Sequence, residues 1–588
     1  MSNPEQVSGK IFDLRLIRRL LAYVRPYRLA FSGAMALTLL VALLTPLRPL
    51  LIQYTLDQPV PAGDLPGLRA FIALILVVLL LETLVAYANT FITNWLGQSV
   101  IRDIRTQVFD HVARLRLKYF DRTPVGTLQT RTINDVETLN EIFTTGLVHI
   151  LGELLSLVAI LSAMFWVNWR LSLAVLSTFP LLLLTAYIFN KKVKVSFQQV
   201  RKAVSEMNAF LQEHITGMQI VHIFNREKEE RQRFDHINRQ HLKANLDSTL
   251  YYSVFYPVIE VITALTTAIL VWYGAGQVIG DSMGFGELVA FLMFVNMFFR
   301  PIRTLADQVN VLQMGMVSAE RIFKVLDTKD IIPDEGRLEA LPGAETGVSI
   351  SFEAVRFAYN EPDWVLRDIS FEVGPGERVA LVGATGSGKS TVINLLSRFY
   401  DIQEGSIRLN GQDIRGLRLE TLRSQIGVVL QDVFLFSGSI RDNITLNQDH
   451  IPQVQVEEAA RRVGAHEFIC RLPGGYDYNV RERGATLSLG QRQLIAFARV
   501  LVYDPRILVL DEATANIDSE SEELIQRAID TVMAGRTSII IAHRLSTIQK
   551  ADQIIVLRKG QILESGTHPQ LLEQQGAYFQ LHQMQFSS

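Results

Sequence analysis

The sequence predicts an α-helical membrane half with six spanning segments and long helical extensions, followed by an α/β half built around a phosphate-gripping loop. Three observations carry that prediction. Six stretches of about twenty or more mostly apolar residues lie before about residue 310. The run Gly383-Ala384-Thr385-Gly386-Ser387-Gly388-Lys389-Ser390 fits G-x-x-x-x-G-K-[ST]. Short apolar runs at Arg378–Val382 and Ile507–Leu510 have the length and β-branched content of buried strands.

At 588 residues the chain is long enough for more than one domain, and 48% hydrophobic content is high for a wholly soluble protein. A net charge of −2 gives no nucleic-acid footprint. Cys470 is the only cysteine, so no intrachain disulfide forms and nothing ties the α/β half to an oxidising compartment. Met1–Lys10 is polar and no short apolar segment with a cleavage site precedes the first long apolar run, so no cleaved signal peptide is expected.

A spanning helix needs about twenty apolar residues to cross a hydrocarbon core roughly 30 Å thick. The expected spans are 29–54, 68–97, 141–167, 171–190, 249–279 and 285–306, preceded by an amphipathic surface helix over Ile11–Tyr23 within the first 28 residues. Basic residues fix the orientation. Arg102, Arg105, Arg114, Arg116, Lys118, Arg122 and Arg131 fall between spans two and three, and a second basic stretch from Lys191 to Arg233 falls between spans four and five. The intervening short loops carry few, so the positive-inside rule places both long segments, the N-terminus and the α/β half in the cytoplasm of a multi-pass inner-membrane protein. The helix-favouring composition of the long segments predicts that spans two to five continue past the bilayer as paired helices.

The loop's chemistry is explicit. Its glycines let backbone N–H groups of Gly383, Ala384, Thr385, Gly386, Ser387 and Gly388 close round phosphates, Lys389 meets their charge, Ser390 offers a hydroxyl to Mg2+, and Thr391 opens a helix whose positive end faces the anion. The second strand ends in Asp511-Glu512. By resemblance to P-loop ATPases, Asp511 holds Mg2+ and Glu512 polarises the attacking water as general base.

Leu487-Ser488-Leu489-Gly490-Gln491 precedes a helix-patterned run to Val502 and closely resembles the signature of ATP-binding cassette (ABC) proteins. Further matches follow in family order: Tyr359, Gln431, Ala515-Asn516-Ile517-Asp518 and His543. The resemblance implies that Tyr359 stacks on adenine, Gln431 joins Ser390 and Asp511 around the metal, Asp518 belongs to the D-loop and His543 contacts the γ-phosphate. It also implies that Ser488, Gly490 and Gln491 act on ATP held by an opposite cassette, so that two chains are needed. The resemblance covers 348–588 as a cassette with a helical subdomain. Two passages, Tyr119–Gly126 with Asn134–Glu137 (119–137) and Glu213–Arg226 (213–226), resemble the family's coupling regions. With a membrane domain over 29–317 and a linker over 318–347, the whole is similar to a half-size type IV ABC exporter of the multidrug and lipid type. It resembles bacterial heterodimeric multidrug exporters in one further point. Leu489 stands where the commonest signature has glycine, and leucine does not readily take glycine's positive φ. Either only Ser488 and Gly490 touch phosphate and the position between them varies freely, which leaves a homodimer open, or the signature serves a slow site in a heterodimer; the heterodimer is the favoured expectation, with this chain's Glu512 served by an intact signature on the partner.

Glu82, Glu153 and Glu260 fall near mid-membrane and Arg48 near the outer end of span one. A bilayer-centred acid costs about 2.5 to 3.5 kcal/mol on insertion scales, so each is expected to face protein or water. They predict either interhelical pairing or a cavity favouring cationic amphiphiles. Phe291, Phe294 and Phe298 suit an apolar ligand surface or ordinary packing, and Pro180, Pro257 and Pro301 each offer a kink. The expected activity is ATP-driven export of amphipathic or hydrophobic compounds, drugs or lipids. A flippase is the alternative, and a cassette-gated channel or regulator is a reading from another class. Membrane spans exclude a soluble cassette ATPase of DNA repair or translation.

Overall fold

In the computed structural model, residues 13–142, 144, 148–280, 282–332, 334, 336–511, 519–542 and 545–586 are described. They form two compact units. One runs to Ala113 and resumes over Thr123–Thr328, and the other joins Arg114–Arg122 to the chain from Lys329 onward.

The chain order of helices begins with α1 (Leu14–Ala22), α2 (Arg28–Leu44), α3 (Leu47–Asp57), α4 (Leu65–Ala113), α5 (Leu117–Arg122), α6 (Val125–Thr132) and α7 (Asn134–Glu141). It continues with α8 (Val148–Val167), α9 (Trp169–Leu176), α10 (Phe179–Thr216), α11 (Met218–Ile223), α12 (Glu227–Ile279) and α13 (Phe285–Leu326). All but α5 belong to the first unit. Among the described residues, five helical stretches, Arg25–Asp57, Leu65–Ala113, Val148–Val167, Trp169–Thr216 and Glu227–Ile279, are long and apolar enough to cross a membrane. The sixth expected span is the first half of α13.

Several expectations are refined. The first span is two helices, because Pro46 supplies no N–H to continue α2. The fourth is also broken, after α9, and Pro180 sits in the first turn of α10, where its missing N–H costs nothing. Pro257 and Pro301 lie inside α12 and α13, which run through them. A helix of 49 residues such as α4 is about 74 Å long at 1.5 Å per residue, more than twice the bilayer core. The α13 helix likewise continues through Ser318 to Leu326, so the expected linker begins as helix.

The extensions of α10 and α12 form an antiparallel pair held in register by rings. Phe189 stacks on Phe255 at 3.7 Å, Phe197 meets Tyr252 edge-on at 6.4 Å, and Phe210 lies 5.8 Å from Phe234. Nearest the tip, His214 Nε2 is 2.9 Å from Glu230 Oε2. Elsewhere in the unit, the Arg19 guanidinium forks onto Asp327 with two 2.7 Å bonds and lies 4.1 Å over Phe323, tying α1 to the end of α13. Phe291, Phe294 and Phe298 are at most 1% exposed, which makes them core rather than a ligand surface.

The second unit has two sheets. Strands β1 (Ile350–Phe357), β2 (Leu366–Val373), β4 (Glu404–Leu409) and β5 (Gln412–Asp413) make an antiparallel sheet of order β2-β1-β4-β5. Strands β3 (Arg378–Val382), β6 (Ile426–Val429), β7 (Ile507–Asp511), β8 (Thr537–Ile541), β9 (Gln553–Arg558) and β10 (Gln561–Gly566) make the order β10-β9-β3-β8-β7-β6. All pairings in the latter are parallel except β10 with β9. The inner strands β3, β7 and β8 are almost wholly buried, which explains why they read as continuous apolar runs rather than alternating ones. One face packs on α14 (Lys389–Leu396) and the antiparallel sheet. The opposite face packs on a helical layer that includes α16 (Ile440–Thr445), α17 (Gln453–Arg462), α18 (His466–Arg471), α19 (Leu489–Tyr503) and α20 (Ser519–Met533), whereas Leu422 of the short α15 (Leu419–Ser424), beside β6, belongs to the core on the α14 side.

Candidate functional site: a phosphate loop at the end of a parallel sheet

The sheet order sets the site. Strand β3 pairs with β8 (Leu381 with Ile541), β8 with β7 (Ile541 with Asp511), and β7 with β6 (Leu510 with Val429). The loop after β3, Asp511 at the end of β7 and Gln431 just beyond β6 therefore emerge at the same carboxyl edge, where open α/β sheets hold ligands.

The loop is built for close backbone approach. A Cβ at Gly383 would collide with the Leu557 carbonyl, and Gly388 has φ +109 and leaves no room for one beside Leu366 Cδ2 at 2.6 Å. Gly388 is also the residue before α14, so the loop runs directly into a helix start. Lys389 is 8% exposed and its ammonium folds back to donate to the carbonyls of Gly383 (2.7 Å) and Ala384 (3.1 Å). Burial lowers its pKa and the nearby Asp511 carboxylate partly restores it. Ser387 is 4% exposed and its Oγ is buried without a hydrogen-bond partner, a polar atom prepared for a ligand oxygen. Ala384, Thr385, Gly386 and Ser390 are exposed on the loop, and Thr391 is buried in α14. The exposed Ser390 hydroxyl and Gln431 amide, with the half-buried Asp511 carboxylate, are hard oxygen donors of the kind Mg2+ takes.

Tyr359 is half-buried and its ring meets Phe357 edge-on at 4.8 Å. Its hydroxyl lies 3.3 Å from Thr391 Oγ1 and accepts from Asn394 Nδ2 at 3.3 Å, which fixes it to α14. Glu512, Asp518 and His543 lie outside the described residues. Tyr400, missed by the sequence reading, packs edge-on against Tyr359 at 4.9 Å. Its only sequence signal was an aromatic pair, Phe399-Tyr400, just beyond a phosphate-binding helix.

The signature folds as a helix start. Ser488 caps α19, accepting from Gln491 N at 3.2 Å while Gln491 Oε1 accepts from Ser488 N at 3.0 Å. Gly490 is buried in the first turn and Leu489 is its half-buried first residue. Leu489 is absent from the positive-φ residues, so glycine's backbone freedom is not needed at this position. The difference from the commoner signature is one of side-chain bulk. Among the described residues no hydrogen bond joins Ser488, Gly490 or Gln491 to the loop of the same chain.

In the membrane unit the ionisable groups separate. Glu153 lines a cavity of about 390 Å³ with Thr38, Asn89, Thr93, His149 and Arg300. Its side chain is 12% exposed, Oε1 lies 3.9 Å from His149 Nε2, and Oε2 is buried without a hydrogen-bond partner. Thr45 donates to Glu82 Oε1 at 3.5 Å. Arg48 is half-buried on α3 and Glu260 lies at an exposed position of α12.

Comparison with known proteins agrees with both halves. A family described as "ABC transporter transmembrane region" matches residues 31–302 and one described as "ABC transporter" matches 366–515. The chain is 40% identical over 589 residues to the uncharacterized ABC transporter ATP-binding protein YknV of Bacillus subtilis (strain 168), covering 99% of this chain and 97% of that one. It is 37% identical to the probable multidrug resistance ABC transporter ATP-binding/permease protein YheH of the same organism, over 89% of this chain and 77% of that one. It is 34% identical to an ATP-dependent lipid A-core flippase of Syntrophus aciditrophicus (strain SB), over 97% and 94%. Among solved structures, a bacterial Atm1-family ABC exporter with ATP bound superposes with a TM-score of 0.75 and 29% identity, covering 95% of this chain and 99% of that one.

Proposed function

The chain belongs to the ABC transporter family as a half-size exporter, one membrane region fused to one cassette, and on that premise we propose that paired chains drive amphipathic or hydrophobic compounds outward across the inner membrane. The cassette binds ATP and the protein is an ATPase coupled to transport; exporters of this organisation act as dimers. The observation that carries the reading is the meeting of the phosphate loop, Gln431 and Asp511 at one edge of the parallel sheet. Lys389, Ser390, Gln431 and Asp511 hold Mg-ATP on one chain, and Ser488 and Gly490 of the other complete the site. Closure on two nucleotides favours the outward-facing state, and hydrolysis resets it, a population shift set by differential affinity. Mg2+ shields the phosphates when bound; Glu512 orients water and His543 meets the γ-phosphate.

The pairing we favour is a heterodimer, because the Leu489 side chain adds an isobutyl group at a phosphate-facing helix start. The domains follow as an N-terminal segment to residue 28, a membrane domain over 29–317, a linker over 318–347 and a cassette from 348, with the N-terminus and cassette cytoplasmic. Cargo of the drug type is supported by likeness to YheH, and a flippase is supported by the flippase-named relatives. Positioned general bases contribute about 10² to 10⁴ in rate. Glu512→Gln should therefore keep ATP affinity while turnover falls by about that factor in a steady-state ATPase assay. Hydrolysis at the parental rate sinks the assignment.

A further inference from the structure

The ring assigned to adenine is part of a longer chain of contacts. Tyr359 meets Tyr400 edge-on at 4.9 Å and 90°. Tyr400 is 7% exposed, also packs on Phe357 at 5.8 Å, and its hydroxyl donates to Asp121 Oδ2 on α5. One residue further on, Arg122 donates to Asn360 Oδ1, beside Tyr359. At the other end of the same segment, Arg116 bonds Asp401, beside Tyr400, at 3.1 Å. Asp401 also receives Arg398 at 3.2 Å, and Arg116 N donates to the Asp330 carbonyl at 2.9 Å. The stretch Arg114–Arg122 is thus held at Asn360, Tyr400 and Asp401, all within one residue of the Tyr359–Tyr400 ring pair. In sequence it is the link from α4 to α6.

The chemistry of the central bond suits a fixed strut. Burial first, then the Asp121 carboxylate, raises the Tyr400 pKa far above the usual tyrosine value, so the phenol remains a donor throughout the physiological range. Edge-to-face ring pairs depend on angle and offset. A base stacked on Tyr359 limits the positions its ring can take, and through the edge contact those of Tyr400 and its hydroxyl.

We propose that Tyr400 is a positioning residue that links the adenine-facing ring of Tyr359 to Asp121, so that a bound base, and not the triphosphate alone, orders the segment Arg114–Arg122. This rests on the reading of Tyr359 as the adenine platform and adds a route by which that platform bears on the link between α4 and α6.

The test uses the full-length protein in lipid vesicles, with Mg2+ and saturating amounts of either a non-hydrolysable ATP analogue or tripolyphosphate. The analogue should slow amide hydrogen exchange in 114–122 by about tenfold and tripolyphosphate should not. Tyr400→Phe, which keeps the ring and removes the hydroxyl, should abolish the difference. So should Asp121→Ala, whereas Asp121→Asn, which still presents an acceptor oxygen, should preserve it. Equal protection by tripolyphosphate, or parental behaviour in Tyr400→Phe, overturns the link. Tyr359→Leu separates the two ideas. Unchanged analogue affinity in that variant removes the platform itself, whereas lost affinity together with parental protection in Tyr400→Phe removes only the Tyr400 step.

Discussion

The Ser488 hydroxyl already has a structural task, accepting the Gln491 N–H that opens α19. Removing an N-cap acceptor costs about 1 kcal/mol, so Ser488→Ala is expected to lower cassette stability by about that amount in addition to any loss of ATPase. Asn caps a helix as well as Ser does. Ser488→Asn should therefore restore the melting temperature while turnover stays low, if the hydroxyl also serves an opposite phosphate. Recovery of both together in thermal and ATPase measurements would leave the cap as the whole role. At this scale the loop, Ser488 and Gln491 were legible because their spacing is the chemistry. Leu489 was read through glycine's φ, which the helical backbone does not require. Tyr400 was illegible because its partners, Asp121 and Tyr359, lie 279 and 41 positions away.

Among elements, α2, α4, α8 and α13 turn polar side chains toward one cavity, although their sequences are mainly apolar. Glu153 puts a carboxylate with one buried, unpartnered oxygen into it, and Arg300 brings the opposite sign. A quaternary ammonium has no N–H and meets a carboxylate only through charge, an attraction of roughly 4 kcal/mol at about 4 Å and an effective dielectric of about 20, so Glu153→Gln should weaken ATPase stimulation by a quaternary ammonium amphiphile about tenfold or more. Stimulation by a neutral amphiphile should be retained, and Arg300→Gln should favour the cation. Equal stimulation of the parent and Glu153→Gln by the ammonium probe would disprove a cationic subsite. The sequence predicts that a mid-membrane glutamate faces protein or water, which Glu153 does, whereas Glu260 stands at an exposed position of α12. It gave no means of ranking Glu82, Glu153 and Glu260, because helix rotation decides which one faces a cavity. The α10–α12 pairing was easier to foresee, since long helix-favouring segments on either side of a short break pack back on each other. The breaks at Pro46 and before Pro180 follow a local rule, yet their consequences differ with position in the turn.

On the scale of the whole molecule, each chain carries one phosphate loop and one signature, with no hydrogen bond between them among the described residues. That arrangement calls for a second chain, and bulk at Leu489 bears on which one. If α19 of this chain approaches a partner's triphosphate, an isobutyl group at its first residue crowds the anion, while the partner's unobstructed signature serves this chain's Glu512. Purified alone in lipid, the chain should then hydrolyse ATP slowly, with turnover rising about tenfold or more when a half-transporter bearing the glycine signature is supplied. Leu489→Gly removes the bulk without needing a new backbone conformation, at a helix-propensity cost of up to about 1 kcal/mol. It should raise the lone chain's turnover, whereas Glu512→Gln in this chain should silence the mixed pair. ATPase titrations of the two preparations decide the matter. Vigorous cooperative hydrolysis by the unmodified lone chain, unchanged by Leu489→Gly, would mean that the leucine is tolerated at the phosphate and that two identical copies suffice.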